Sequence, residues 1–158
     1  MTKNTLEKII DNRVIEIEKK KSLIPIQKLE EYIVEYENMY QCKYFDFKNQ
    51  ISDNIKSKKI SIIGEIKKAS PSAGIIIKDY YPQDIAKIYK EKKITCLSVL
   101  AEEKYFLGGM SDIFLCKNNI DLPILCKDFF IDKYQIYWAR SCGADAILII
   151  LAGVSDKL

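Results

Sequence analysis

Apolar residues recur at spacings of three and four in the first part of the chain, which is the pattern of amphipathic helices. The first pattern follows Asn4 or Thr5, either of which can cap a helix, and it ends before Pro25. Its apolar positions are Leu6, Ile9, Ile10, Val14 and Ile17, with Arg13 among the charged residues between them. A second pattern contains Leu29, Ile33 and Tyr36, after which residues 38–59 become mixed polar and aromatic. Two such helices cannot close a core alone, so we expect residues 1–57 to be a helical extension packed onto a larger body.

From residue 58 onward, short apolar runs alternate with helical patterns. The four runs, which we predict to be strands, are residues 60–67, 94–100, 122–127 and 144–151. Helical patterns follow the first three runs, around residues 82–89, 113–115 and 133–141. Strands that are apolar on both faces and alternate with helices are typical of a parallel sheet covered by helices. The sequence therefore predicts an α/β fold with four parallel strands in residues 58–158.

Composition excludes several classes of protein. The chain has 158 residues, of which 48% are hydrophobic and 30% charged, so a single domain with a real core is expected rather than a disordered chain. The net charge is +3 with both signs interspersed, and Arg13 and Arg140 are the only arginines, which argues against a nucleic-acid partner. The longest uncharged apolar stretch, residues 146–154, is about half of a bilayer span. Because the N-terminus also lacks a signal-peptide pattern, we expect no membrane partner and a cytoplasmic location.

The chain contains no histidine, which limits its chemistry. Histidine-based triads, histidine-ligated metals and imidazole proton shuttles are all excluded. Five cysteines are spaced far apart without a Cys-x-x-Cys pair, so neither a zinc cluster nor a disulfide framework is expected. We interpret them as small hydrophobic residues in a reducing compartment: Cys42, Cys96, Cys116, Cys126 and Cys142.

Polar residues cluster where the predicted strands end. Glu65 and Lys67 end the first strand, Glu102 lies just past the second, and Lys127 and Asp128 end the third. Ligands of parallel α/β sheets bind at these carboxyl ends, and residues two apart on a strand point to the same side. The alternative is that the strands have already reached solvent and that these are surface charges. Residues 70–74, Ser-Pro-Ser-Ala-Gly, permit a phosphate cradle but are more typical of a turn.

Taken together and in order, these segments resemble the indole-3-glycerol phosphate synthase family. The segments that carry the resemblance are residues 65–74, 97–102, 122–129, 134–135, 139–140 and 143–146, together with 6–10 and Arg13 near the start. Two small departures are Ala101, where the family usually has threonine, and Cys126, where many members have arginine. The resemblance implies a (β/α)8 TIM barrel preceded by a helical segment. Because such a barrel needs roughly 200 residues or more, we expect this chain to be its N-terminal half, apparently truncated after the fourth strand.

The resemblance implies a carbon–carbon lyase of tryptophan biosynthesis that uses no cofactor and no metal. Its phosphorylated substrate, 1-(2-carboxyphenylamino)-1-deoxyribulose 5-phosphate, becomes indole-3-glycerol phosphate with loss of CO2 and water. By match to the family motifs, Lys127 would be the general acid, Lys67 would hold substrate anions, and Glu65 would orient both lysines. Ser70 and Pro71 would lie near the substrate phosphate, and Phe129 would pack on the anthranilate ring.

Three hypotheses remain open from the sequence. The first is a truncated or split synthase that needs a complementing C-terminal half, since the family's remaining catalytic and phosphate-binding groups come from strands five to eight. The second is a non-catalytic half-barrel that binds anions weakly or self-associates through open strand edges. The third is a phosphate-binding barrel isomerase of the same pathway, against which the Glu-x-Lys and Lys-Asp-Phe motifs argue.

Overall fold

The computed structural model describes residues 4–40 and 44–153, with side chains omitted for residues 39 and 40. Its six helices are α1 (Thr5–Leu23), α2 (Ile26–Tyr40), α3 (Phe47–Lys56), α4 (Pro82–Glu91), α5 (Met110–Lys117) and α6 (Lys133–Ser141). Its six strands are β1 (Ile63–Ile66), β2 (Ala69–Ser70), β3 (Gly74–Ile75), β4 (Cys96–Leu100), β5 (Ile124–Lys127) and β6 (Ala146–Ile147). A short 3-10 helix covers Leu151–Gly153. No helix within these described ranges is long and apolar enough to cross a bilayer.

Four strands form one sheet in the order β1-β4-β5-β6, and every neighbouring pair is parallel. The four strands thus lie in the sheet in the same order as in the chain. Helices α4, α5 and α6 each connect one strand of this sheet to the next. The predicted α/β class with four parallel strands is confirmed, in the arrangement of one half of a (β/α)8 barrel. The two remaining strands, β2 and β3, form a small antiparallel hairpin directly after β1.

The two faces of this sheet differ in chemistry. The face covered by α4, α5 and α6 carries the apolar core, whose buried strand residues are Ile66, Leu97, Val99, Ile124 and Cys126. Packing is close at Gly64, where an added Cβ would lie 2.6 Å from the ring of Tyr89 on α4. Tyr89 also donates its hydroxyl to the backbone oxygen of Glu65 at 3.1 Å. Because side chains alternate along a strand, Glu65 projects from the opposite face, which would be the inside of a barrel.

The first two helices form as the sequence predicts. Asn4 caps α1 and forms a reciprocal capping box with Glu7. Ile17 of α1 and Leu29 of α2 are buried against Tyr134 of α6 in a second apolar cluster. These contacts attach the helical segment to the sheet's outer layer, whereas the domain division at residue 57 stays a prediction.

Two segments differ from the sequence pattern. The helical pattern gives way to a mixed polar and aromatic segment over residues 38–59, yet this segment contains α3, which Asp46 caps by accepting the N–H of Asn49. No residue of α3 is buried, although Phe47, Ile51 and Ile55 recur at a helical spacing of four, which is the signal that could have revealed this helix. The fourth strand was expected over residues 144–151, but only two residues of β6 pair with β5, and the chain turns into a 3-10 helix at Leu151. Only β5 is available as a neighbour among the described residues, and β5 itself ends at Lys127.

Four of the cysteines lie among the described residues, and all four are free thiols. Cys96, Cys116 and Cys126 are buried, as expected for small hydrophobic residues, whereas Cys142 is partly exposed. Burial raises the pKa of Cys96 to about 11 and that of Cys116 to about 12, so both remain protonated at neutral pH. Cys42 lies outside the described residues.

Candidate active site

Three charged side chains meet on the inner face of the sheet. Nζ of Lys127 lies 2.5 Å from Oε2 of Glu65, and Nζ of Lys67 lies 2.6 Å from Oε1 of the same carboxylate. Their side chains are 38%, 33% and 30% exposed for Lys127, Glu65 and Lys67. We call these three residues the charged triad. Because they are half-buried and paired with one another, they are not the independent surface charges of the alternative interpretation.

The strand register explains why the triad forms. Glu65 of β1 lies opposite Ser98 of β4, and Leu100 of β4 lies opposite Lys127 of β5. Lys127 is therefore one inward-facing layer closer to the carboxyl end than Glu65, and the two side chains converge across β4. Lys67 immediately follows β1 on the side of Glu65, as the two-residue spacing predicts.

Two ammonium groups share one carboxylate, so the triad has one positive charge in excess. Partial burial alone would raise the pKa of Glu65, but hydrogen bonds from Lys127 and Lys67 outweigh it, and the pKa of this carboxyl is lowered. Glu65 is consequently ionised at neutral pH. A partly buried cluster with excess positive charge suits a ligand that carries carboxylate or phosphate groups.

Ser70 and Pro71 lie in the hairpin next to the triad rather than within it. The hydroxyl of Ser70 accepts the backbone N–H of Ala73 at 3.2 Å, and Gly74 adopts a positive φ of 65°. The segment is thus a turn, as the alternative interpretation held, and the described contacts do not join Ser70 directly to the charged triad. Its predicted place near a substrate phosphate stays a prediction.

Phe129 packs against a second aromatic ring that sequence reasoning missed. The ring centroids of Phe129 and Phe106 are 6.2 Å apart at an interplanar angle of 41°. Phe106 belongs to the loop after β4, and this loop is shaped by Glu102, which is fully buried. The carboxylate of Glu102 accepts the backbone N–H groups of Lys104, Tyr105 and Phe106. An acidic residue directly after a strand, followed by residues in a tight loop, is the sequence signal for this arrangement.

Asp128 turns away from the triad and enters a buried polar network, which sequence reasoning also missed. Its carboxylate accepts from the guanidinium of Arg13 on α1 and from Nε2 of Gln135 on α6, the latter at 3.3 Å. Arg13 was expected among the solvent-facing charges of α1, but it is buried. Its position four residues from both Ile9 and Ile17 places it on the apolar side of the helix, which is the signal that could have revealed its burial.

Within the described residues, no group of three or more cysteine, aspartate or glutamate side chains could hold a metal ion. The polar groups that converge on the inner face are instead two ammonium groups and one carboxylate. These groups can transfer protons and bind anions. The expectation that the reaction uses neither a cofactor nor a metal stays a prediction.

Comparison with known proteins gives a consistent assignment. The family model described as indole-3-glycerol phosphate synthase matches residues 6–158. Proteins named indole-3-glycerol phosphate synthase are similar to this chain in Prochlorococcus marinus strain MIT 9215, with 44% identity over 154 residues, and in Trichodesmium erythraeum strain IMS101, with 41% identity over 155 residues. Each alignment covers 98% of this chain and 50% of the relative. A relative of the same name from Caldanaerobacter subterraneus subsp. tengcongensis is 40% identical over 153 residues, which are 97% of this chain and 56% of the relative.

The chain therefore spans about half the length of the curated relatives that it matches. The match begins within α1 and continues through all four parallel strands, so it includes both the helical segment and the charged triad. On the strength of the family model and of these relatives, this chain belongs to the indole-3-glycerol phosphate synthase family.

Proposed function

We propose that this chain provides the lysine-rich half of an indole-3-glycerol phosphate synthase active site. The observation that carries the proposal is the charged triad, in which Lys67 and Lys127 converge on Glu65 at the carboxyl ends of β1 and β5. Active sites of parallel α/β barrels lie at this end of the strands. The family match favours this function over a phosphate-binding isomerase of the same pathway.

The proposed reaction is a ring closure with loss of CO2 and water. The aromatic carbon that carries the substrate carboxylate attacks the ribulose C2 carbonyl, whose oxygen takes a proton. Cleavage of the bond to the carboxylate releases CO2 and returns an electron pair to the ring. The new hydroxyl then takes a proton and leaves as water, while the former ribulose C1 loses a proton to a base of the complementing half, which forms the indole double bond. Lys127 is the acid in this proposal, because its ammonium is positioned on the inner face and exchanges its contact with Glu65 for a substrate oxygen.

The remaining residues bind and orient the substrate. Lys67 contributes a cation for the substrate anions, and Glu65 keeps both ammonium groups directed at the same point. Phe129 and Phe106 provide an apolar surface beside Lys127 on which the anthranilate ring can pack. Ser70 and Pro71 lie in the adjacent hairpin, where a phosphate would meet backbone N–H groups of the turn.

A complementing half of the barrel is part of this proposal. The sheet edges of β1 and β6 have no strand partner among the described residues, and the matched relatives are about twice as long. Oriented acid and base groups act jointly, so we expect the chain alone to have little or no turnover and to gain it with the second half of the barrel. The partners we propose are a phosphorylated small molecule and this second half, in the cytoplasm, without a nucleic acid or a membrane.

A second candidate is a non-catalytic half-barrel that self-associates. The observation that favours it is the exposure of isoleucines along the two sheet edges: Ile62 is 53%, Ile63 is 49% and Ile149 is 43% exposed. In this case the charged triad would be retained without a complete set of catalytic groups.

The proposal is tested by assaying indole-3-glycerol phosphate formation by the chain alone and with a complementing C-terminal half from a relative. We expect Lys127→Ala to lower kcat of the complemented enzyme by about 10²- to 10⁴-fold with a small change in KM, since proton donation acts in the transition state. Lys87→Ala, an exposed lysine on α4, is the matched control and should leave kcat unchanged. If Lys127→Ala keeps kcat within a few-fold of the parent, another group is the acid. If the complemented enzyme shows no turnover at all, the non-catalytic half-barrel is favoured.

A further inference from the structure

Helix α1 contacts two of the loops that follow the barrel strands. Nζ of Lys104, in the loop after β4, donates to Oδ1 of Asn12 at 2.8 Å. Nζ of Lys21 lies 2.7 Å from Oδ2 of Asp132, in the loop after β5. The helix is therefore docked over the carboxyl end of the sheet, which is the end that carries the charged triad.

One contact of α1 is buried rather than peripheral. Arg13 is nearly inaccessible to solvent, and its guanidinium bonds to the carboxylates of Asp128 and Glu16. Burial alone would lower the pKa of Arg13, but these carboxylates outweigh it and the pKa is raised, so the group stays charged. A buried ion pair has a large desolvation cost and is therefore weak evidence for a purely stabilising role.

Asp128 connects this arginine to the strand that carries Lys127. Its Oδ1 accepts the backbone N–H of Phe129 at 2.8 Å, and Gln135 of α6 donates both to Asp128 and to the backbone oxygen of Phe129. On the other side, the backbone oxygen of Lys127 accepts the N–H of Ala101 at 3.0 Å. The backbone on both sides of Lys127 is thus held, by β4 through Ala101 and by α1 and α6 through Asp128.

Successive residues on an extended chain point in opposite directions, so the orientation of Asp128 determines that of Lys127. Asp128 pairs with Arg13 on one side of the chain, and the neighbouring Lys127 pairs with Glu65 on the other. Displacing a catalytic group by about 1 Å costs up to about a hundredfold in rate. A change in the direction of the Lys127 side chain is therefore enough to lower the catalytic rate strongly.

We propose that Arg13 is a positioning residue for Lys127, acting through the buried carboxylate of Asp128. The proposal rests on the function proposed above for Lys127, but its central claim, that Arg13 controls the pairing of Lys127 with Glu65, concerns this chain alone. Helix α1 would then do more than cover apolar surface, since it would complete the geometry of the charged triad.

The experiment follows the Lys127 side chain directly. Lysines of the chain are methylated with isotope-labelled formaldehyde, which preserves their charge, and the Lys127 NMR signal is assigned from its absence in Lys127→Arg. We expect Arg13→Met to move this signal toward the position of exposed lysines, as Glu65→Gln should, because both remove the Lys127–Glu65 contact. Lys21→Met is the matched control: it removes another ion pair between α1 and the same loop and should leave the Lys127 signal in place.

Two results would overturn the proposal. One is an unchanged Lys127 signal in Arg13→Met, and the other is an equal displacement in Lys21→Met, which would indicate a general undocking of α1. If Arg13→Met does not fold, Arg13→Lys decides the question: a cation with fewer donors should displace the signal partly in the same direction, and an unchanged signal contradicts the proposal.

Activity provides a second and separate readout. In the complemented enzyme, Arg13→Met should lower kcat about ten- to a hundredfold with KM nearly unchanged, and Arg13→Lys should recover part of the loss. If the NMR signal moves while Lys127→Ala leaves kcat unaffected, the positioning is correct and the proposed acid is wrong. If Lys127→Ala abolishes turnover and the Lys127 signal does not move in Arg13→Met, the proposed acid is correct and the positioning role of Arg13 is wrong.

Discussion

At the scale of single residues, Glu65 is the acceptor on which the site depends, because its carboxylate contacts both Lys67 and Lys127. Its pKa is lowered in the folded chain from an ordinary value of 4.5. A carboxyl with a lowered folded pKa contributes stability above its ordinary pKa, and this contribution is lost as the pH falls through the folded value. The ion pairs of the triad should therefore stabilise the fold at neutral pH and not in acid.

The first prediction concerns this pH dependence. Glu65→Gln should reduce the difference in free energy of unfolding between neutral pH and about pH 3, by roughly 0.5–1 kcal/mol because the partly exposed pairs are screened by solvent. Urea unfolding of parent and variant at both pH values measures the difference. Glu31→Gln, which removes an exposed ion pair with Lys28 on α2, is the control and should change it less. An identical pH dependence in Glu65→Gln and the parent would show that the triad does not hold Glu65 ionised.

The charged triad could be predicted from sequence because it obeys local rules. Glu65 and Lys67 share a face by strand periodicity, and parallel strands bring their carboxyl ends together. The burial of Arg13 and Glu102 could not be predicted in this way, because burial of a charge depends on partners that periodicity does not reveal. Arg13 is 115 residues from its partner Asp128, and Glu102 is buried because its loop folds back onto its carboxylate. The burial of both residues therefore depends on tertiary contacts.

At the scale of secondary-structure elements, Asp145 holds the opposite, amino end of the sheet together. Its buried carboxylate lies 2.6 Å from Nζ of Lys117 at the end of α5 and accepts the N–H of Ile124 at the start of β5. It also accepts the N–H of Phe45, the residue that leads into Asp46 and α3. One side chain therefore connects α5, β5, the approach to β6 and the helical segment.

The second prediction is that Asp145→Asn destabilises the chain by about 3 kcal/mol, because it leaves the buried ammonium of Lys117 without its carboxylate partner. Chemical denaturation measures the loss. Asp121→Asn provides the control, since Asp121 pairs with Lys90 at an exposed position and should change stability by less than about 0.5 kcal/mol. Equal effects of the two substitutions would show that burial of the Asp145 pair is not what holds these elements.

Element boundaries were predictable where the apolar pattern was strong, as in β4, whose five residues are all buried. Helix α3 was not recognised, and it is held in part by a polar contact that periodicity does not reveal, in which Nδ2 of Asn54 donates to the hydroxyl of Thr95 at 3.3 Å. The pattern also predicted a fourth strand that is longer than β6. Residues 148–151 are apolar, as a strand requires, but they have a hydrogen-bonding neighbour only as far as β5 extends. Pairing partners, rather than propensity, set the length of a strand.

At the scale of the whole molecule, the main feature of the described residues is a parallel sheet whose two outer strands are β1 and β6. Among the described residues, β1 and β6 each lack a partner on their outer side, and hydrophobic strand edges of this kind promote association. Exposed isoleucine side chains lie beside both edges, at Ile62 and Ile149. A second half of the barrel would cover both edges at once, and a second copy of this chain is the other candidate.

The last prediction is that the chain alone sediments at micromolar concentration as an assembly heavier than one chain. Adding a lysine at an edge should weaken this association at least about tenfold, or about 1.4 kcal/mol, because a charge beside an open strand opposes pairing. Ile62→Lys and Ile149→Lys test the two edges separately. Leu115→Lys is the matched control, because Leu115 is also exposed but lies on α5, which packs against the two central strands β4 and β5. Addition of the complementing half should dissociate the assembly in the parent, since both bind the same edges. A compact monomer that unfolds cooperatively without any partner would show that the open edges are stable in water and that this argument is wrong.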